Sequence, residues 1–183
     1  HPGGGLCGCT PIDTDYVNKS LITRPDFRKK PARKTNINQI GQALAMEGKE
    51  AVRGFYVYGC NPANTVSDQQ LIIRGLERED LFTVVHERFM TDTARYADIV
   101  LPATFSVEQT DIYRAYGYCT LSTGRKLVDA PGECRSNWDT FCLLAKGMGY
   151  ADDYFDRSEN EMLDILLSLK TRAIAETSDE AKE

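Results

Sequence analysis

Nothing in the 183 residues approaches the run of about 20 apolar residues needed to cross a bilayer, so no direct membrane insertion is expected. Histidine is scarce, with two in the chain, and no CxxC pair occurs, so no zinc set assembles from sequence neighbours. No GxxxxGKS or GxxxxGKT is present, and no GxGxxG closes a predicted strand, so the ordinary ATP and NAD fingerprints do not apply. Positive charge is in short supply too. With 22 Lys and Arg against 27 Asp and Glu the net charge is −5, and no aromatic-laced basic block offsets it, which argues against nucleic-acid binding. The most basic stretch, RPDFRKKPARK at 24–34, is broken by prolines and reads as a solvated linker.

What is present is an ordinary globular composition, 42% hydrophobic and 27% charged, on a chain long enough to bury a substantial core. The chain opens on HPGGG with no initiator Met and no leader-like segment, and closes on the acidic AETSDEAKE. The expectation is a piece of a larger protein. Six cysteines stand at 7, 9, 60, 119, 134 and 142. The chain is too core-rich for a disulfide scaffold, and Cys7-Gly8-Cys9 lacks a second ligand pair. Reduced, mostly buried cysteines are expected, with no metal site.

Residues 1–34 read as a loop or arm, rich in Gly, Pro and charge. A helix is expected at about 37–47, capped by Asn36 with Gln39 three residues on, with Gly48 at its C′ position. FYVY at 55–58 reads as a buried strand. Ser67 with Gln70 fits a capping box for a second helix carrying Leu71, Ile72 and Leu76. LFTVVH at 81–86 and DIVLP at 98–102 are two more strands, with about two helical turns at 91–97 between them. Strands alternating with helices through short loops predict an α/β fold, doubly wound, with a mainly parallel sheet and flanking helices, a Rossmann-like variant. Around YCTLS a hairpin or irregular strand is expected. Two helices close the chain: one capped by Ser136, with Trp138, Phe141 and Met148 as core positions, the other boxed by Ser158 and Glu161. The resulting division is an arm at 1–34, an α/β domain at 35–150, and a C-terminal helix with a frayed tail at 151–183.

Ligands of open α/β sheets bind outside the carboxyl ends of the strands. The first end carries Gly59, Asn61, Pro62 and Thr65. The second carries His86, Glu87 and Arg88, followed by Thr91 and Thr93. The third carries Leu101, Pro102, Ala103 and Thr104. Glycine permits close backbone approach, an asparagine amide both donates and accepts, and hydroxyls near helix starts favour anions. The set suits a nucleotide. The same residues also suit plain turn chemistry, with Asn-Pro as a turn and Thr91 as an N-cap, and both readings stay open here. His86 has no Ser or Cys nucleophile partner in view and reads as a hydrogen-bonding wall residue rather than a base.

Four blocks bear on the choice: YGCNPANT at 58–65, VVHERFMTDTARYADIVLPAT at 84–104, EQTDIYRAYG at 108–117 and PGECRSNWDTFCLLAKGMG at 131–149. In order and spacing they resemble the molybdopterin oxidoreductases of the dimethyl sulfoxide reductase family, which carry a bis(molybdopterin guanine dinucleotide) cofactor. The resemblance implies that 35–150 is a molybdopterin-guanine-dinucleotide-binding domain clasping the guanosine end of one such cofactor. It places Gly59, Asn61 and Thr65 on the first guanosine-facing loop, His86, Glu87 and Thr91 at the second strand end, and Leu101 and Ala103 at the third. Asn137 falls near the guanine, and Gly3, Gly4 and Gly5 closer to the pterin. The molybdenum or tungsten ligand, any iron–sulfur cluster and the closing barrel domain would lie outside this chain. No catalytic residue is assigned, and the chain by itself is expected to be inactive. Its implied partners are the remaining domains of a parent chain and an electron-transfer subunit, in the cytoplasm or periplasm. A stand-alone nucleotide-binding module and a degenerate scaffold or interaction module are the alternatives.

Overall fold

A computed structural model describes residues 19–28, 30–114 and 121–167. In chain order its elements are α1 (Lys19–Thr23), α2 (Ile40–Ala45), β1 (Gly54–Tyr58), α3 (Pro62–Thr65), α4 (Gln69–Leu76), β2 (Phe82–Glu87), β3 (Ile99–Pro102), β4 (Asp111–Arg114), β5 (Leu121–Gly124) and α5 (Asn137–Gly147). A last helix, α6, is described over 159–167. The chain groups into two units, each drawn from several stretches. A sheet unit comprises Ala32–Phe105 and Ala130–Asn137. A helical unit takes the chain up to Pro31, Ser106–Asp129, and the chain from Trp138 onward.

The sheet unit is the expected α/β structure. β1, β2 and β3 run parallel in the order β1-β2-β3, with Val57, Val85 and Val100 in one row and Tyr58, His86 and Leu101 in the next. Side chains alternate across a strand, so Phe55, Val57, Thr83 and Val85 share one face. That face is covered: Val57 and Val85 pack with Ala94, and Phe55 also reaches the larger cluster of Leu44, Ala63, Ile72, Leu76 and Leu81. Burying each such aliphatic side chain stabilises the fold by about 1.5–3 kcal/mol. Two glycines let α2 and α4 come close. A Cβ on Gly41 would stand 3.2 Å from Ile72, and one on Gly75 would collide with the Cβ of Leu44.

Several local expectations shift by a residue or a turn. Asn36 does cap, its Oδ1 accepting from the Asn38 backbone N–H, but over a 3-10 turn at Ile37–Gln39 that leads into α2. That helix stops at Ala45, and Gly48, with φ of +75°, opens a separate 3-10 turn rather than closing the helix. Asp68, not Ser67, caps α4: it adopts the left-handed region at φ 59° and accepts from the Leu71 N–H. A short carboxylate can adopt that region and still reach the third helical amide, which lets it displace the serine one residue earlier. The two turns expected at 91–97 are a single 3-10 turn, Ala94–Tyr96.

In the helical unit, β4 and β5 form the expected hairpin, antiparallel with Asp111 opposite Gly124. Of YCTLS, Tyr118, Cys119 and Thr120 lie outside the described residues. The capping box of α6 is present in full: Ser158 N–H donates to Glu161 Oε2 at 2.7 Å and Glu161 N–H to Ser158 Oγ at 3.3 Å. One basic residue is not the solvated linker group expected of it. The Arg24 guanidinium lies 3.8 Å from the Phe27 ring centroid and 4.5 Å from that of Tyr154, and pairs with Asp26 and Asp152.

Candidate functional site

Parallel strands deliver their carboxyl ends to one edge, and register fixes who stands beside whom. Tyr58, His86 and Leu101 form the last full row, with Glu87 paired to Pro102 just beyond it. A fourth strip then joins: Ala103 and Arg135 form a parallel bridge. Arg135 N–H donates to Pro102 O at 3.1 Å, and Thr104 N–H donates to Arg135 O at 3.2 Å. The edge therefore reads, from β1 outward, Gly59, Glu87, Ala103 and the strip that leads into Asn137, the first residue of α5. Gly59 holds φ at +60°, a conformation glycine adopts without steric cost, and the space a Cβ would take there is open.

Asn61 works first as a latch. Its Oδ1 accepts from Thr93 N–H at 3.1 Å and from Thr93 Oγ1 at 2.6 Å, while Ala63 N–H donates to that same hydroxyl oxygen at 3.0 Å. Thr93 is fully buried, so this network fixes the β1–α3 loop against the β2–β3 connection. Asn61 O accepts from Thr65 N–H at 2.9 Å and Thr65 Oγ1 at 2.8 Å, which closes the short α3. Those bonds leave the two Nδ2 donors of Asn61 for a ligand. Thr91 has the turn role that the sequence left open: its Oγ1 accepts from Ala94 N–H at 3.2 Å.

His86 is 1% exposed, and its Nε2 lies 3.1 Å from Arg135 O. A carbonyl only accepts, so Nε2 carries the proton and Nδ1 is the bare nitrogen. That Nδ1 is buried and has no hydrogen-bond partner among the described residues. The wall reading of His86 therefore holds, and the ring contacts protein rather than open space. Glu87 Oε1 accepts from Arg88 N–H at 2.8 Å, and its side chain is largely buried. Leu101 and Ala103 are half-buried, Thr65 and Asn137 exposed. Gly3, Gly4 and Gly5 lie outside the described residues.

The structure thus brings Gly59, Glu87 and Ala103 to one sheet edge, with Asn61 in the loop after β1 and Asn137 just past the strip bridged to Ala103. His86 is buried against that strip's Arg135 carbonyl, and Thr91 caps its own turn. Sequence reading placed Thr93 at the second strand end without its organising role, and missed Arg135. Thr93 stood in the TDTARYAD block as a signal, whereas Arg135 acts through its backbone and has none. It also passed over Phe89 and Phe105, exposed rings 5.6 Å apart edge to face, with the Arg88 guanidinium 5.4 Å over Phe105. An apolar groove of about 270 Å³ in the helical unit, walled by Ile112, Trp138, Tyr154 and Met162, is lined by none of the strand-end residues. Among the described residues no group of three His, Cys, Asp or Glu side chains is gathered to hold a metal. None of the described helices is long and apolar enough to cross a membrane.

Residues 22–147 match the family model described as molybdopterin oxidoreductase. The chain is 39% identical over 164 residues to the probable oxidoreductase YoaE of Bacillus subtilis, covering 89% of this chain and 24% of that one. It is 36% identical over 115 residues to a dimethyl sulfoxide/trimethylamine N-oxide reductase of Rhodobacter capsulatus, covering 61% of this chain and 14% of the relative. Among solved structures, acetylene hydratase from Pelobacter acetylenicus superposes with a TM-score of 0.66 at 22% identity, over 92% of this chain and 23% of that one, a likeness of fold. The chain spans about a quarter or less of the length of these proteins.

Proposed function

The chain belongs to the molybdopterin oxidoreductase family, and from that premise we propose that its sheet unit clasps the guanosine end of a molybdopterin guanine dinucleotide within a longer oxidoreductase. The observation that carries this reading is the shared carboxyl edge. There a left-handed Gly59 faces open space with Asn61 two residues on, and the strip bridged to Ala103 leads into the exposed Asn137. The residues present fit the group. An open glycine turn admits a ribose or phosphate closely, and amides can pair with the mixed donor and acceptor edge of a purine.

When bound, such a cofactor supplies two-electron redox chemistry at molybdenum or tungsten. This chain's part is to bind and orient, as proteins do around cofactors. Asn61 Nδ2 donates toward the nucleotide while its Oδ1 holds Thr93 in place. Glu87, tied to its own neighbour's N–H, adds a fixed acceptor at the middle strand end. The metal ligand, the substrate pocket and the route for electrons belong to the rest of the parent protein and its partner subunit. The chain alone is therefore inactive.

Calorimetric titration of the chain with GMP, against AMP as competitor, tests the reading. GMP is expected to saturate a single weak site and to bind at least several-fold tighter than AMP. Asn137→Ala, at an exposed position, is expected to erase that preference. Asn61→Ala also breaks the Thr93 latch and so lowers stability as well as binding. Equal affinity for GMP and AMP, or no saturable binding, would sink the proposal and favour a scaffold without nucleotide.

A further inference from the structure

Resting on the guanosine reading, we propose that His86 is a positioning residue: its Nε2–H holds the Arg135 carbonyl, and that bond sets where Asn137 meets the nucleotide. The strip carrying Arg135 is joined to β3 by one isolated bridge, made of two backbone bonds. Such an edge strip is weakly held by itself, and it ends two residues before Asn137. His86 comes from β2, the central strand, level with Leu101, and its Nε2 reaches Arg135 O on the strip beyond β3. The bond therefore ties the outermost strip to the middle of the sheet. Arg135 O accepts twice, from Thr104 N–H and from His86 Nε2–H, which uses both lone pairs and fixes that peptide plane.

A packing role alone does not account for a histidine here. A leucine or methionine would fill the space without leaving a buried ring nitrogen unpartnered, as Nδ1 is. The ring's rigidity, with two rotatable bonds, and its donor at full reach are what this contact uses. His86 thereby acts on specificity through Asn137 without touching the ligand.

Two arms test this on the 183-residue chain, one with nucleotide and one without. In the ligand-free arm, the imidazole nitrogen shifts of His86 are read by ¹⁵N NMR on the wild-type chain, together with exchange of the Thr104 and Arg135 amides. The expected results are the Nε2–H tautomer, about tenfold faster exchange at both amides in His86→Met, and near wild-type exchange in His86→Gln, whose amide keeps a donor at the Nε2 position. In the ligand arm, GMP affinity is measured in a double-mutant cycle with Asn137→Ala. His86→Met is expected to weaken GMP about fivefold in the parent background and to add nothing once Asn137 is Ala. An Nδ1–H tautomer, unchanged amide exchange in His86→Met, or losses that simply add across the cycle would each overturn the proposal. If the ligand-free arm gives the expected results while the wild type prefers GMP no more than AMP, the guanosine reading falls and the latch stands.

Discussion

The sheet unit and the helical unit hold their irregular segments in different ways. In the sheet unit, single side chains with two hydrogen-bonding faces do it: Asn61 with Thr93, His86 with Arg135, and Asp98, whose Oδ2 accepts from Thr83 N–H at 2.7 Å. Each is directional, and Thr93 and His86 are fully buried, so each fixes a loop in one geometry. In the helical unit, ring faces do it. Phe27 stacks on Phe155 at 5.2 Å, Trp138 meets Tyr154 edge to face at 5.3 Å, and Arg24 lies against Phe27 and Tyr154. Ring contacts tolerate small shifts that a buried hydrogen bond does not. The directional latches gather at the parallel strand ends, while Trp138 and Tyr154 of the aromatic cluster wall a groove beside the start of β4.

The largest effect expected is on the aromatic side. Tyr154→Ala removes the ring shared by Arg24, Trp138 and Phe155, and should cost about 3 kcal/mol in urea unfolding. A loss below about 1 kcal/mol would show that the cluster is not a core. Next, Gly75→Val forces α4 away from Leu44 and should cost about 2 kcal/mol, an overpacking penalty read from the same unfolding curves. Thr93→Val keeps the volume but leaves Ala63 N–H without its partner and Asn61 Oδ1 with only the backbone N–H of residue 93. About 1–2 kcal/mol is expected, with faster exchange at the Ala63 amide. A neutral Thr93→Val would break the contrast between the units.

The smallest effect expected is a pH dependence confined to the aromatic side. Asp152 is held below its usual range first by the Tyr154 backbone N–H and then by Arg24, and Asp26 chiefly by Arg24. A carboxyl lowered in the folded state stabilises the fold above its ordinary value of 3.8. That contribution fades as pH falls through the folded value, so acid unfolding followed by Trp138 fluorescence should steepen below about pH 4. Arg24→Met should flatten that limb. An unchanged acid limb in this variant would remove Arg24 from the account.

Much of the sheet was legible because short β-branched and aromatic runs have few other uses, two of the three end at Gly59 or Pro102, and all three strands stand within a residue of expectation. The Ser158 box was legible because both halves of the reciprocal bond are side chains visible in sequence. The cap of α4 was not, since Ser67 and Asp68 are both competent and only the backbone's left-handed turn at Asp68 decides between them. At the site, residue types were legible and roles less so. Asn61 was placed on a ligand-facing loop, yet it gives its oxygen to Thr93; His86 was read as a hydrogen-bonding wall residue, but its partner, a backbone carbonyl 49 positions away, was not visible.

By itself the sequence determined which segments become parallel strands, and therefore which residues arrive at their carboxyl ends, because strand propensity and turn chemistry are local. It also carried the family, in long blocks whose order does not depend on folding. Only the tertiary structure decided that Arg135 pairs beside Ala103 and that the buried His86 bonds its carbonyl. Those outcomes rest on hydrogen bonds between residues far apart in the chain, through backbone atoms that every residue shares.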